Sequence, residues 1–363
     1  MGNALVWLRD DLRVEDNPAL NAAVDHAEAT GSRVVIAFIL DEVSSGIRPL
    51  GGATKWWLHH SLTNLRARIQ RLDGTLILRR GAAFDHIREL IREVEADAIF
   101  WNRRYGGAER ALDADIKAYA SAAGLETHSF QANLLFEPWT VRTGSGTPYT
   151  VFTPFWKSCL ARPEPVRAPL NAPSTLLGMQ NELLRCDAID DWGLLPSNPD
   201  WSMGLALRWQ PGEPAAHEKL ARFLEQRVER YASGRDFPGE NNTSELSPHL
   251  RFGEISPFQI FHAVDAISPS ARAAGGDDLL EGIRRFRAEV GWREFSYHLL
   301  FHWPDLASRN FDSRFDNFTW GSPHDGRLER WQEGATGVPL VDAGMRELWQ
   351  TGYMHNRVRM VTA

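Results

Sequence analysis

Ala4-Leu5-Val6-Trp7-Leu8, then Arg9-Asp10-Asp11-Leu12-Arg13-Val14-Glu15-Asp16-Asn17, then Pro18-Ala19-Leu20 reads as a buried strand, a polar loop and the start of a helix. A short unbroken apolar run suits a strand covered on both faces. The same alternation recurs to about residue 130. Val34–Leu40, Thr75–Leu78, Ala98–Trp101 and Thr127–Phe130 predict strands; Asn17–Ala29, Thr54–Leu72, Phe84–Val94 and Glu109–Ala123 predict helices. Repeated βα units imply an α/β, Rossmann-like domain with a parallel five-stranded sheet. The first βα turn holds no GxGxxG, so a standard dinucleotide site is not expected there.

The 363 residues suffice for about two domains. A hydrophobic fraction of 43% excludes wholesale disorder. The net charge of −7 argues against a surface coated in positive charge but leaves room for a local basic groove. Cys159 and Cys186 form no metal-ligand spacing, so a reduced, cytoplasmic setting with buried or inert thiols is expected, and no metal. The apolar run before Arg13 is too short for a signal peptide, and no run reaches membrane-span length. Val6 excludes the myristoylation pattern that Met1-Gly2 would otherwise begin.

Prolines at 163, 165, 169, 173, 196, 199, 211 and 214 mark a connection running over the surface. Helical periods follow in His217–Ala232, Pro248–Phe252, Pro257–Ala266, Leu279–Trp303, Gly326–Glu333 and Val341–Thr351. The expected division is an α/β domain over 1–132, a connection over 133–215 and an all-α domain over 216–363.

Three segments carry chemistry. In the first, Tyr231 to Asp236 precedes Asn242-Thr243-Ser244-Glu245-Leu246-Ser247-Pro248; Ser247 and Ser256, each followed by proline, predict helix N-caps. Hydroxyls leading into a helix N-terminus suit phosphate, although for this segment alone simple capping is the favoured reading. In the second, Phe286 to His298, Glu289, Trp292 and Ser296 share a helical face and Glu289 can pair with Arg293. The third is the terminal helix, where Asn356, Arg359 and Met360 share a face and no stop signal follows.

In this order and spacing the three segments resemble the flavin-binding domain of the DNA photolyase/cryptochrome family. Leu5 to Arg13 with Asp16-Asn17-Pro18-Ala19-Leu20, Lys55 to Leu62, and Trp331 to Arg346 are similar to further stretches of that family. The similarity is greatest to cyclobutane pyrimidine dimer photolyases of class I-like type. It implies light-dependent repair of cyclobutane pyrimidine dimers by electron transfer from excited reduced FAD, a lyase reaction on DNA. By resemblance, Tyr231, Thr243, Ser244, Glu245, Leu246, Ser247, Arg293, Asn356 and Arg359 would hold FAD. Glu289, Trp292, Asn356 and Met360 would line a pocket for the extruded dimer, and Arg235 and Arg357 would meet the DNA backbone, helped by Arg284-Arg285-Phe286-Arg287. Trp320 would stand in the electron-transfer chain. The pair His355-Asn356 resembles the cyclobutane type rather than the six-four type, which carries paired histidines.

The stretch Trp101 to Gly106 ends a strand where an antenna chromophore of folate or deazaflavin type would bind. The expected partner is damaged DNA containing pyrimidine dimers, with no membrane and a monomeric chain. A blue-light photoreceptor without repair activity is the alternative, and a non-flavin nucleotide-binding protein a third reading. In the family the chain continues past Ala363 into helices carrying the carboxylate for the arginine matching Arg359. The expectation is therefore a truncated helical domain that binds FAD weakly or not at all and repairs little.

Overall fold

The computed structural model describes residues 2–164, 166–179, 184–273, 276–321 and 325–363. Five parallel strands, β1 (Asn3–Leu8), β2 (Val34–Leu40), β3 (Leu76–Arg80), β4 (Ala96–Asn102) and β5 (Glu126–Phe130), form a sheet of order β3-β2-β1-β4-β5. Between them run α1 (Pro18–Thr30), α2 (Gly52–Gln70), α3 (Ala83–Glu93) and α4 (Gly107–Ala122). Side chains alternate across a strand. Ala4, Val6 and Leu8 enter the core beneath α1 and α2, whereas Leu5 and Trp7 enter the one beneath α3 and α4. Both faces of β1 are thus covered, which is why its sequence is apolar without interruption. Asn17 caps α1, accepting the Leu20 N–H at 3.2 Å, with Pro18 at the first helical position.

The helical part comprises α5 (Phe152–Leu160), α6 (Met203–Arg208), α7 (Glu213–Gln226), α8 (Val228–Gly234), α9 (Ser247–Phe252), α10 (Pro257–Ala273), α11 (Asp277–His302), α12 (Arg327–Gln332), α13 (Pro339–Thr351) and α14 (Asn356–Thr362). The predicted helix His217–Ala232 is two helices, broken at Arg227. The Arg227 side chain there donates to Asn241 Oδ1 (2.9 Å), tying the break to the following loop.

The connection over 162–214 departs from its reading as a surface strap. Leu176, Ile189, Trp192, Leu194, Leu205 and Trp209 are buried in the same core as β1 and β2. Large apolar side chains between the prolines outweigh the loop-forming composition. Pro165 and residues 180–183 of this stretch lie outside the described residues. Cys159 is buried, and burial pushes its thiol up to about 12; Cys186 is exposed. Among the described residues no helix is long and apolar enough to cross a membrane.

The loop after β1 joins the two parts. Arg13 is fully buried and donates to Asp16 O (3.0 Å), Asn133 Oδ1 (3.1 Å), Ala132 O (3.0 Å) and Gly253 O (2.9 Å). Leu12 N–H donates to Phe252 O, and Glu213 accepts the N–H groups of Val14 and Glu15. Gly253 stands at φ +67, and a Cβ there would collide with the Asp10 carbonyl oxygen. No other residue fits both demands. Replacing Arg13 by Ala strands three buried carbonyls and the Asn133 amide oxygen. The expected loss is about 3–5 kcal/mol in urea unfolding, with both parts losing cooperativity together.

Candidate functional site

The first wall of the site is α11. Asp277 and Asp278 in its first turn complement the helix dipole, and Pro304 closes its far end. Phe286, Val290, Glu294 and Phe295 point inward, which turns Glu289 and Trp292 outward. Gly291 lets the helix approach the Trp156 ring, since a Cβ there would lie 2.7 Å from it. The second wall is the end of α8 with Arg235 and Asp236, and the third is α14. His355 caps α14, its Nδ1 accepting the Arg357 N–H at 3.2 Å, and burial lowers its basicity.

These walls enclose a cavity of about 560 Å³ lined by Arg235, Glu289, Trp292, Asn356, Arg357 and Met360, together with Ala232, Asp236 and Arg285. Six side chains singled out from three separate stretches of sequence thus meet around one space. Arg359 departs from them: it turns back, its Nε donating to Met354 O at 3.2 Å, and among the described residues it meets no carboxylate. Met360 is 69% exposed.

The pairings differ from expectation. Glu289 pairs with Arg235 rather than with Arg293. Arg293 donates instead to Asn133 O (2.6 Å) and lies over the Tyr297 ring. A fixed carbonyl on its buried side outcompetes a half-buried carboxylate one turn away that Arg235 already holds. In the basic segment, Arg284 and Arg285 are bound to Glu281, and Arg287 to Asp265.

The hydroxyl-rich loop lies beside α13. Thr243 Oγ1 meets Tyr353 OH at 3.1 Å, and Arg208 lies over the Tyr353 ring. The Glu245 carboxylate is committed to Arg208 and Lys219. Tyr231 and Leu246 are buried, with Tyr231 edge-on to Phe223 and Phe286. Ser247 is exposed, lies in the first turn of α9 and makes no capping bond among the described residues, because Leu246 takes the cap position. Ser256 does cap, accepting the Gln259 N–H while Gln259 Oε1 accepts the Ser256 N–H. Trp320 is 83% exposed and packs on Phe318, away from the cavity.

Sequence reading missed two contributors. Phe152, which opens α5, stacks flat on Trp292 with centroids 3.8 Å apart and planes 11° apart. Asp236 lies between the two arginines of the rim, and its only sequence signal is its place beside Arg235. A second cleft of about 690 Å³ opens at the C-terminal ends of β1, β2 and β4, lined by Arg9, Phe38, Arg104, Arg251, Phe252 and Leu300 among others. Trp101 lines a neighbouring cavity of about 560 Å³ with Arg103, Arg104, Arg110, Trp139 and Phe301.

Residues 4–174 match the family model described as DNA photolyase, and residues 286–363 the one described as FAD binding domain of DNA photolyase. The chain is 44% identical over 359 residues to a deoxyribodipyrimidine photo-lyase of Agrobacterium fabrum, covering 99% of this chain and 71% of that protein. It is 33% identical over 364 residues to cryptochrome-1 of Arabidopsis thaliana, covering 100% of this chain and 52% of that one. Among solved structures, a bacterial class III photolyase from Agrobacterium tumefaciens superposes with a TM-score of 0.92 at 42% identity, covering 100% of this chain and 72% of that one.

Two buried groups on α11 behind the cavity titrate in opposite senses. Burial pushes the Glu294 carboxyl up to about 7 and the His298 imidazole down to about 4. Between about pH 4.5 and 7 Glu294 holds a proton that the unfolded chain has lost, so its contribution falls as pH rises. Between about pH 4 and 6.5 the unfolded chain protonates at His298 first, so that contribution rises with pH. The two slopes oppose each other in the native chain. Urea unfolding across this range should show Glu294→Gln gaining stability with rising pH relative to the native protein, and His298→Gln losing it.

Proposed function

Since the chain belongs to the DNA photolyase/cryptochrome family, we propose that it is a deoxyribodipyrimidine photo-lyase acting on cyclobutane pyrimidine dimers in DNA. The observation that carries this reading is the cavity uniting Glu289, Trp292, Asn356 and Met360 with two rim arginines. Chemistry on a base inside a duplex requires the nucleotide to leave the stack for a pocket with a flat wall and a few polar groups, a strategy the photolyases share.

Trp292 is that wall. Phe152 holds its indole from behind, so the ring meets a ligand already oriented. Glu289 and Asn356 offer hydrogen-bonding groups to the pyrimidine edges, and Met360 a polarisable apolar contact. Arg235 and Arg357 stand on the rim, where the phosphates of a bound strand would meet them.

The donor set present fits FAD. Thr243 and Ser244 on the loop and Ser247 in the first turn of α9 carry hydroxyls close together in sequence, and Arg359 presents a guanidinium to solvent with a single backbone carbonyl as partner among the described residues. Thr243, Ser244, Leu246 and Ser247 would hold the diphosphate and ribityl portion over buried Tyr231, and Arg293 and Arg359 would stand near the ring system. Bound and reduced, FAD supplies the photoexcited electron that opens the cyclobutane ring. The chain's own part is to position the dimer, exclude water with Trp292 and Met360, accept a base N–H with the Glu289 carboxylate and donate to a base carbonyl from the Asn356 amide. The cleft at the C-terminal strand ends, with its cations and apolar wall, suits an antenna chromophore.

Because the donors present suit FAD, the outcome now expected differs from the weak or absent binding read from the sequence: the purified chain, supplied with FAD, should show flavin absorbance and remove cyclobutane dimers from an oligonucleotide under blue light but not in the dark. Trp292→Ala should weaken dark binding of dimer-containing DNA by roughly ten- to a hundredfold, the scale of one lost base-stacking contact. Flavin uptake without preference for dimer-containing DNA would favour the photoreceptor reading; no flavin uptake would overturn both.

A further inference from the structure

The rim of the cavity carries charges in strict alternation. Asp236 Oδ1 lies 2.7 Å from Arg357 Nε and 3.6 Å from Arg235 Nε, and Arg235 pairs onward with Glu289. The row Arg357, Asp236, Arg235, Glu289 is therefore neutral as it stands, and all four side chains line the cavity. Arg284, Arg285 and Arg287 nearby are likewise tied to carboxylates. A plain phosphate-binding surface would leave its arginines free, since free cations maximise counterion release and affinity.

Resting on the repair reading above, we propose that Asp236 is a specificity-determining residue: it restrains Arg235 and Arg357 so that undamaged DNA cannot use them fully. An intact duplex keeps its phosphates outside the cavity mouth. To reach them, the two arginines must swing outward, and that motion breaks both contacts with Asp236. A nucleotide extruded about its backbone seats its base in the cavity, which brings its flanking phosphates to the mouth. Those phosphates meet the arginines where Asp236 holds them, and the contacts with Asp236 survive. The same carboxylate therefore costs affinity in one complex and not in the other. Specificity arises from such a difference, and a built-in penalty against the wrong ligand is one way to create it.

Asp236 is half-exposed, and asparagine keeps its shape while removing its charge. In dark binding assays on the whole chain supplied with FAD, Asp236→Asn should tighten binding to undamaged duplex by roughly five- to tenfold, the scale of two surface ion pairs relieved. Its binding to the same duplex carrying one cyclobutane dimer should change less than twofold. The salt dependence on undamaged DNA should steepen by about one ion per complex. Glu28→Gln, an exposed acid on α1, alters net charge equally and should leave the damaged-to-undamaged ratio unchanged. Asp236→Ser repeats the test with a different side chain, and a circular dichroism melt confirms that each variant is folded. An unchanged or wider ratio in Asp236→Asn, with the native chain still preferring dimer-containing DNA, overturns the inference alone. A native chain with no such preference overturns the repair reading and the inference with it.

Discussion

Arg13 carries a permanent charge to a place without water, and the surrounding backbone is arranged to receive it. Four hydrogen bonds from one guanidinium reach the loop after β1, the segment after β5 and the turn after α9. Asp16 completes the arrangement, accepting from Arg167, from the Leu170 N–H and from the Ser256 hydroxyl. A guanidinium with five donors in fixed geometry can hold several backbone carbonyls at once, which an ammonium cannot. Because these partners lie in three stretches of chain, two of them distant from Arg13, the loop after β1 is tied both to the segment after β5 and to the helices.

Around the cavity the chain separates two kinds of polar group. Groups behind α11, such as Glu294 and His298, are buried and sit in their neutral forms over much of the ordinary pH range. Groups on the mouth, Arg235, Asp236, Glu289 and Arg357, pair with one another. The division follows from dielectric. Charge survives where water can share it, and it is neutralised or multiply bonded where water cannot.

Much of this was legible in sequence. The predicted strand Val34–Leu40 matches β2 residue for residue, because a strand buried on both faces must be apolar throughout. Asn17-Pro18 placed the start of α1 within a residue. Less legible was whatever depends on distant partners. Phe152 lies 140 residues before Trp292, so no local period could link them. The choice of Glu289 for Arg235, and of Arg293 for the Asn133 carbonyl, is made by tertiary placement rather than by helical spacing. Ser247 looked like a cap, but the backbone turns one residue earlier. Between residues 162 and 214 the prolines point to a loop, but the cost of leaving Trp192 and Trp209 in water draws the segment into the core.

That connection has a further consequence. Leu205 and Trp209 sink into the core beneath the sheet, while the Trp209 indole N–H donates to the Thr351 carbonyl at 2.7 Å at the end of α13. Leu205 also packs at the turn Gly352, where a Cβ would strike it. One short helix therefore belongs to both halves of the molecule at once. The halves are not interchangeable cassettes: recombination between distant relatives would have to exchange α6, the end of α13 and the facing patch of the sheet as one inherited unit.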